Sequence, residues 1–158
     1  PAGANMQLLG VYDGELVEPM AQVLSRLGVK NAMVVYGMDG LDEISVSAPT
    51  SVCEVRNGRF RNYILEPERF GMMKCSKSDL TGGTPEENAR IIRAILSGEK
   101  GPKTDAVILN SAAALYVANP AMTLEEAVDE AKEILAGGKA LAQVERFIKM
   151  SGGQTPLW

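Results

Sequence analysis

Leu8-Leu9-Gly10-Val11-Tyr12, followed by Asp13 to Gly28 and then Ala32-Met33-Val34-Val35-Tyr36, is the stretch that decides the fold. Its first and last parts are short, apolar and turn-bounded, as buried strands are. Between them Leu16, Val17, Met20, Val23, Leu24 and Leu27 recur at helical spacing. Asp13 is placed to cap that helix, and Gly28 to end it in the left-handed conformation. Strand, helix and strand within about thirty residues predict a right-handed βαβ unit with parallel strands. The loop that follows, Gly37-Met38-Asp39-Gly40-Leu41-Asp42-Glu43-Ile44-Ser45, then leaves the C-terminal end of a parallel strand. Open α/β sheets bind their ligands at that edge.

Downstream the pattern changes twice. Ile44-Ser45-Val46-Ser47 alternates, and Asn57-Gly58 is a two-residue hairpin signal because both positions tolerate positive φ. A hairpin centred there pairs Val55 with Phe60 and Glu54 with Arg61, and it sets Arg56 opposite Arg59, which favours solvent exposure. Thr84-Pro85-Glu86-Glu87 then opens a helix to about Leu96 with a capping box and a proline at the first helical position. Gly98 and Gly101-Pro102 break it. Ala106 to Ala118 is apolar nearly all round and predicts a buried helix. Thr123-Leu124-Glu125-Glu126 repeats the capping box, and Gly137-Gly138 separates that helix from a last one ending near Met150. The fold class is α/β: part of a mainly parallel sheet flanked by helices, with an antiparallel hairpin excursion. Residues 1–150 form the domain and residues 151–158 a tail.

Composition narrows the chemistry. The chain has 158 residues, enough for one domain with its own core. Twenty acidic residues against 16 basic ones give a net charge of −4, with no basic cluster of the kind a nucleic-acid surface needs. No run of about eighteen apolar residues suggests a membrane span, and no secretory signal pattern is visible. There is no histidine, which removes the commonest general acid/base, and the two cysteines, Cys53 and Cys75, lack metal-ligand spacing. They read as reduced thiols of a cytoplasmic protein. Any chemistry must rest on carboxylates, backbone amides or a metal.

Asp42 and Glu43 are the candidate metal ligands. Mg²⁺ is commonly held by one or two carboxylates together with phosphate oxygens and water. On a loop two neighbouring carboxylates can converge on one ion, and Gly37 and Gly40 supply backbone freedom. The competing reading is a solvated acidic turn. Asp39 reads as a turn former. Leu80-Thr81-Gly82-Gly83-Thr84 could cradle a phosphate at a helix N-terminus, but a tight entry into a capped helix explains the glycines better. Lys74 and Lys77 could meet phosphate or be plain surface charge. Asn110, inside an apolar helix, needs a hydrogen-bond partner if buried, and a neighbouring loop is the expected one.

Taken in order, several stretches resemble the anthranilate phosphoribosyltransferase family. They are Pro1-Ala2-Gly3-Ala4, Gln7 to Tyr12 with Glu15 to Glu18, Gly40 to Ser45, Gly82 to Ala89, Gly101-Pro102-Lys103, and Leu109 to Tyr116. The resemblance implies transfer of a phosphoribosyl group from phosphoribosyl pyrophosphate to anthranilate, in tryptophan biosynthesis, with Mg²⁺ on the diphosphate. It places Asp42 and Glu43 at the family's acidic metal pair and puts Gly82-Gly83 outside the diphosphate loop. It also implies a homodimer. The family's Gly-Thr-Gly-Gly-Asp diphosphate loop and Lys-His-Gly-Asn segment do not occur in these 158 residues, and the chain opens at Pro1 without an initiator methionine. The expectation is therefore a C-terminal fragment, inactive alone, binding Mg²⁺ weakly and prone to self-association. Two alternatives stay open: a fragment of a related nucleoside phosphorylase or aromatic-amine phosphoribosyltransferase, and a non-catalytic truncated domain that only self-associates.

Overall fold

The computed structural model describes residues 3–152. The expected tail falls mostly outside that range; of it only Ser151 and Gly152 are described, as a turn closing the last helix.

Four strands form one sheet in the order β1 (Met6–Gly10), β2 (Asn31–Gly37), β3 (Thr50–Arg56) and β4 (Arg59–Leu65). β1 and β2 are parallel, with Leu8 beside Met33 and Gly10 beside Val35. α1 (Val17–Arg26) connects them, as the βαβ reading requires. The helix enters through a short 3-10 turn, Gly14–Leu16, in which the Asp13 side chain accepts the Glu15 N–H at 2.9 Å. Gly28 follows α1 at φ 89°, which an L side chain resists. The α/β class stands, but among the described residues the sheet is mixed and not mainly parallel, because parallel pairing is confined to this one pair. The other two pairings are antiparallel.

Asn57 (φ 49°) and Gly58 (φ 77°) form the hairpin turn, and the predicted partners Val55–Phe60 and Glu54–Arg61 are in register. Two expectations change here. Ile44 to Ser47 is not a strand; β3 begins only at Thr50. The backbone groups a ladder would use are taken up by a side chain distant in sequence, because Asn110 binds both the N–H and the carbonyl of Ile44. Ile44 and Val46 are nonetheless completely buried, so the alternation records burial within a loop. Second, Arg56 is not left to solvent. Glu54, 4 % exposed, accepts from Arg56 Nε at 2.7 Å, from Tyr116 Oη at 2.8 Å and from Tyr63 Oη at 3.4 Å. The Arg56 guanidinium lies 4.3 Å from the centre of the Tyr116 ring.

The sheet has a core on each side. α1 covers one face, packing Val17, Ala21 and Leu24 on Val34, Cys53 and Val55. The other face carries α2 (Pro85–Leu96), α3 (Pro102–Ala118), α4 (Leu124–Ala136) and α5 (Lys139–Met150). There Met33, Val35 and Val52 meet Leu109, Ala112 and Ala113 of α3, with α4 packed behind through Ala127 and Val128. α3 starts at Pro102, earlier than its apolar run predicts, because Gly101-Pro102 both breaks the preceding segment and opens the next helix. Both cysteines are free thiols, and no helix among the described residues is long and apolar enough to cross a membrane.

The two sheet edges differ in character. β4 carries Arg59 and Arg61, charges of the kind that discourage further pairing, whereas Met6-Gln7-Leu8-Leu9-Gly10 in β1 carries none. The chain is expected to self-associate through β1. Sedimentation velocity should show concentration-dependent association that Met6→Lys, at an exposed position of β1, suppresses; a monomer at every concentration would contradict this.

Candidate metal site

The loop between β2 and β3 is built around Asp39. Its Oδ2 accepts from Ser45 Oγ at 2.9 Å and from Ser47 Oγ, and its backbone carbonyl accepts from Lys77 Nζ at 2.6 Å. Burial works against the charged form of Asp39, but the hydrogen bonds from Ser47 and then Ser45 outweigh it, with help from the Lys77 charge. The carboxyl is held below its ordinary range. The other oxygen, Oδ1, is buried and has no protein partner. Asp39 is therefore the turn former the sequence suggests. Gly37 and Gly40 contribute in different ways. Gly40 has φ 85°, whereas a Cβ on Gly37 would lie 2.9 Å from Asp39 Oδ1 and 3.1 Å from Ser45 Cβ. The first needs freedom and the second needs space.

Tied in this way, the loop holds Asp42 and Glu43 in the open beside the C-terminal ends of β1 and β2. The Asp42 carbonyl lies directly over Gly10, where a Cβ would come within 1.5 Å of its oxygen. Glu43 lines a groove of about 590 Å³ between the loop, α2 and α3, together with Leu80, Gly82, Asn88, Lys103 and Asn110. Its carboxyl is pushed above the usual range, first by partial desolvation against the groove wall and then by the negative charges of Asp42 and Asp39. A cation placed here would relieve that repulsion. Hard oxygen donors are what Mg²⁺ takes, and among the described residues no group of three or more acidic, cysteine or histidine side chains forms a complete protein cage. Any ion at Asp42 and Glu43 would need its remaining ligands from elsewhere, such as phosphate oxygens and water.

The glycine-rich segment before α2 serves the entry into that helix, as the tight-turn reading expects. Gly83 N–H donates to Asn88 Oδ1 at 2.9 Å, and Thr84 N–H donates to Glu87 Oε2 at 2.7 Å within the capping box. Those two amides are therefore already used. Lys77 meets the acidic loop, and Lys74 is exposed. Asn110 reaches a neighbouring loop, as its sequence context requires, and that loop is the acidic one. The role of Gly10 is not deducible from its own surroundings in the sequence, because its neighbour there lies about thirty residues away.

The profile of the family described as the glycosyl transferase family, a/b domain, matches residues 1–141. The chain belongs to that family. Among glycosyl transferase relatives, anthranilate phosphoribosyltransferase from Methanobrevibacter smithii is 60% identical over 149 residues, which is 94% of this chain and 44% of that protein. The enzyme of the same name from Lachnoclostridium phytofermentans is 57% identical over 151 residues, 96% of this chain and 45% of its own length. The crystal structure of anthranilate phosphoribosyltransferase from Thermus thermophilus superposes with a TM-score of 0.84 at 41% identity, over 94% of this chain and 44% of that one. The Saccharomyces cerevisiae enzyme, in complex with PRPP and Mg, gives 0.82 at 30% identity over 92% and 42%. The resemblance read from the sequence is borne out, and the chain spans less than half the length of each of these relatives.

Proposed function

We propose that this chain carries the metal-binding face of a phosphoribosyltransferase that moves the phosphoribosyl group of phosphoribosyl pyrophosphate onto the amine of anthranilate, the reaction of tryptophan biosynthesis. The observation that carries the reading is the exposed Asp42–Glu43 pair, held at the C-terminal end of the parallel strands by a loop fixed at Asp39, Gly10 and Ile44. The identities to enzymes named for this reaction and the likeness to a relative solved with PRPP and Mg support it.

In this reading Asp42 and Glu43 hold Mg²⁺ together with diphosphate oxygens. When bound, the ion neutralises charge developing on the departing pyrophosphate while the ribose takes on positive character. The work of the chain is positional. Asp39, fixed by two serines and Lys77, sets the loop's shape, and Gly10 lets the Asp42 carbonyl settle onto the sheet. A cytoplasmic setting and a homodimer accompany the family reading.

Mn²⁺ in place of Mg²⁺ makes the site visible. Titration of the chain followed by electron paramagnetic resonance should show weak Mn²⁺ binding that phosphoribosyl pyrophosphate strengthens. Asp42→Asn and Glu43→Gln should each weaken the strengthened binding by about tenfold or more, a loss of about 1.4 kcal/mol or more. Mn²⁺ binding indifferent to both substitutions would overturn the proposal.

A further inference from the structure

Asn110 sits in the middle of α3, on the helix that packs against β1 and β2, where an amide has no evident place. Its side chain makes three hydrogen bonds. Oδ1 accepts the Ile44 N–H at 3.0 Å, and Nδ2 donates to the Ile44 carbonyl at 2.8 Å and to the Ala106 carbonyl at 3.0 Å. The bond to Ala106, one turn back along the helix, fixes the rotamer. The other two grip both polar groups of a single loop residue. Ile44 is in turn fully buried by its side chain. Glu43 is the residue immediately before it, and Glu43 and Asn110 line the same groove.

We infer that Asn110 is a positioning residue for the metal pair: its amide clamps Ile44 and thereby sets where Glu43 presents its carboxylate. The inference rests on the metal reading of Asp42 and Glu43. Other ties hold the loop from within or against the sheet, through Asp39 with its serines and through Gly10. Asn110 adds one from the helical layer. Helix packing alone would be served better by an apolar residue, since an amide in this setting is tolerated only when its hydrogen bonds are made. Residues that orient a metal ligand from behind usually cost ten- to hundredfold in affinity when removed.

Two readouts on the chain test this. In Asn110→Ala, the Ile44 amide should exchange its hydrogen about tenfold faster or more, because it loses its acceptor, and Mn²⁺ affinity should fall about tenfold. Asn110→Gln keeps the same groups but displaces them by a methylene, so it should weaken Mn²⁺ binding as well. Val128→Ala, a cavity in α4 away from the loop, should lower the unfolding temperature and leave Mn²⁺ affinity unchanged, which separates positioning from general loosening. Mn²⁺ binding by Asn110→Ala equal to that of the unsubstituted chain would overturn the positioning role alone. A complete lack of Mn²⁺ binding by the unsubstituted chain would overturn the metal reading and the positioning role with it.

Discussion

Gly10→Ala is expected to destabilise the chain by about 3 kcal/mol or more and to abolish measurable metal binding at Asp42–Glu43. The general trend points the other way. Replacing glycine by alanine at a compatible site stabilises by roughly 0.4–1 kcal/mol, because the unfolded chain loses freedom. Gly10 shows no positive φ, so its backbone alone would permit alanine. The contact decides the sign. A Cβ there would lie 1.5 Å from the Asp42 carbonyl oxygen and 2.4 Å from its carbon, both backbone atoms with no rotamer to escape into. Either β1 or the acidic loop must move. The loop is also tied to Asn110 and to the Asp39 cluster, so the strain spreads across all three attachments. Urea unfolding and a Mn²⁺ titration on the same sample would measure both effects. An unchanged midpoint with intact Mn²⁺ binding would mean that the carbonyl does not rest on Gly10.

Arg56→Ala should cost about 3 kcal/mol, the lower end for breaking a buried ion pair. The buried partner is Glu54, on a strand with neighbours on both sides and 4 % exposed. It keeps the Tyr116 and Tyr63 hydroxyls as donors after the substitution, which limits the loss. The guanidinium also stacks on Tyr116 and reaches its carbonyl at 3.4 Å, so its removal loosens β3 from α3. For a domain of this size the melting temperature should fall by roughly 10 °C. Replacing the pair together, as Glu54→Leu with Arg56→Met, should recover only part of that loss, because it removes the uncompensated charge but leaves the Tyr116 and Tyr63 hydroxyls without their acceptor. A drop of only about 1 °C for Arg56→Ala would show that the pair behaves like one at the surface.

How far the sequence reaches is clear from single residues. Periodicity and turn chemistry are local, so the α1 crossover, the Asn57-Gly58 hairpin with its register and the two capping boxes at Thr84 and Thr123 could be read from short windows. Asp42–Glu43 could be placed at a strand end for the same reason. What stayed out of reach depends on long-range contacts. Ile44-Ser45-Val46-Ser47 alternates like a strand, yet its backbone partner is a side chain 66 residues away. Arg56 faces Arg59 across a hairpin, which reads as exposure until Tyr116 arrives beneath it. Glu54 looks like an ordinary strand carboxylate opposite Arg61, and only the packing of α3 makes it the centre of a buried network.

β2 has a parallel neighbour on one side and an antiparallel one on the other. At its C-terminal end it meets the finish of β1 but the beginning of β3, where Gly37 pairs with Thr50 and Thr50 Oγ1 accepts the Ser45 N–H. The β3 side of that end is therefore tied to the loop itself, while on the other side the Asp42 carbonyl rests on β1. Gly10, the last residue of β1, is both a footing for the acidic loop and a member of the uncharged edge. Whatever lies along that edge stands about 4.8 Å from the strand that supports Asp42. Occupancy of the β1 edge and the geometry of the carboxylate pair are thus neighbours by construction, and a probe at Asp42 also senses what β1 is paired with.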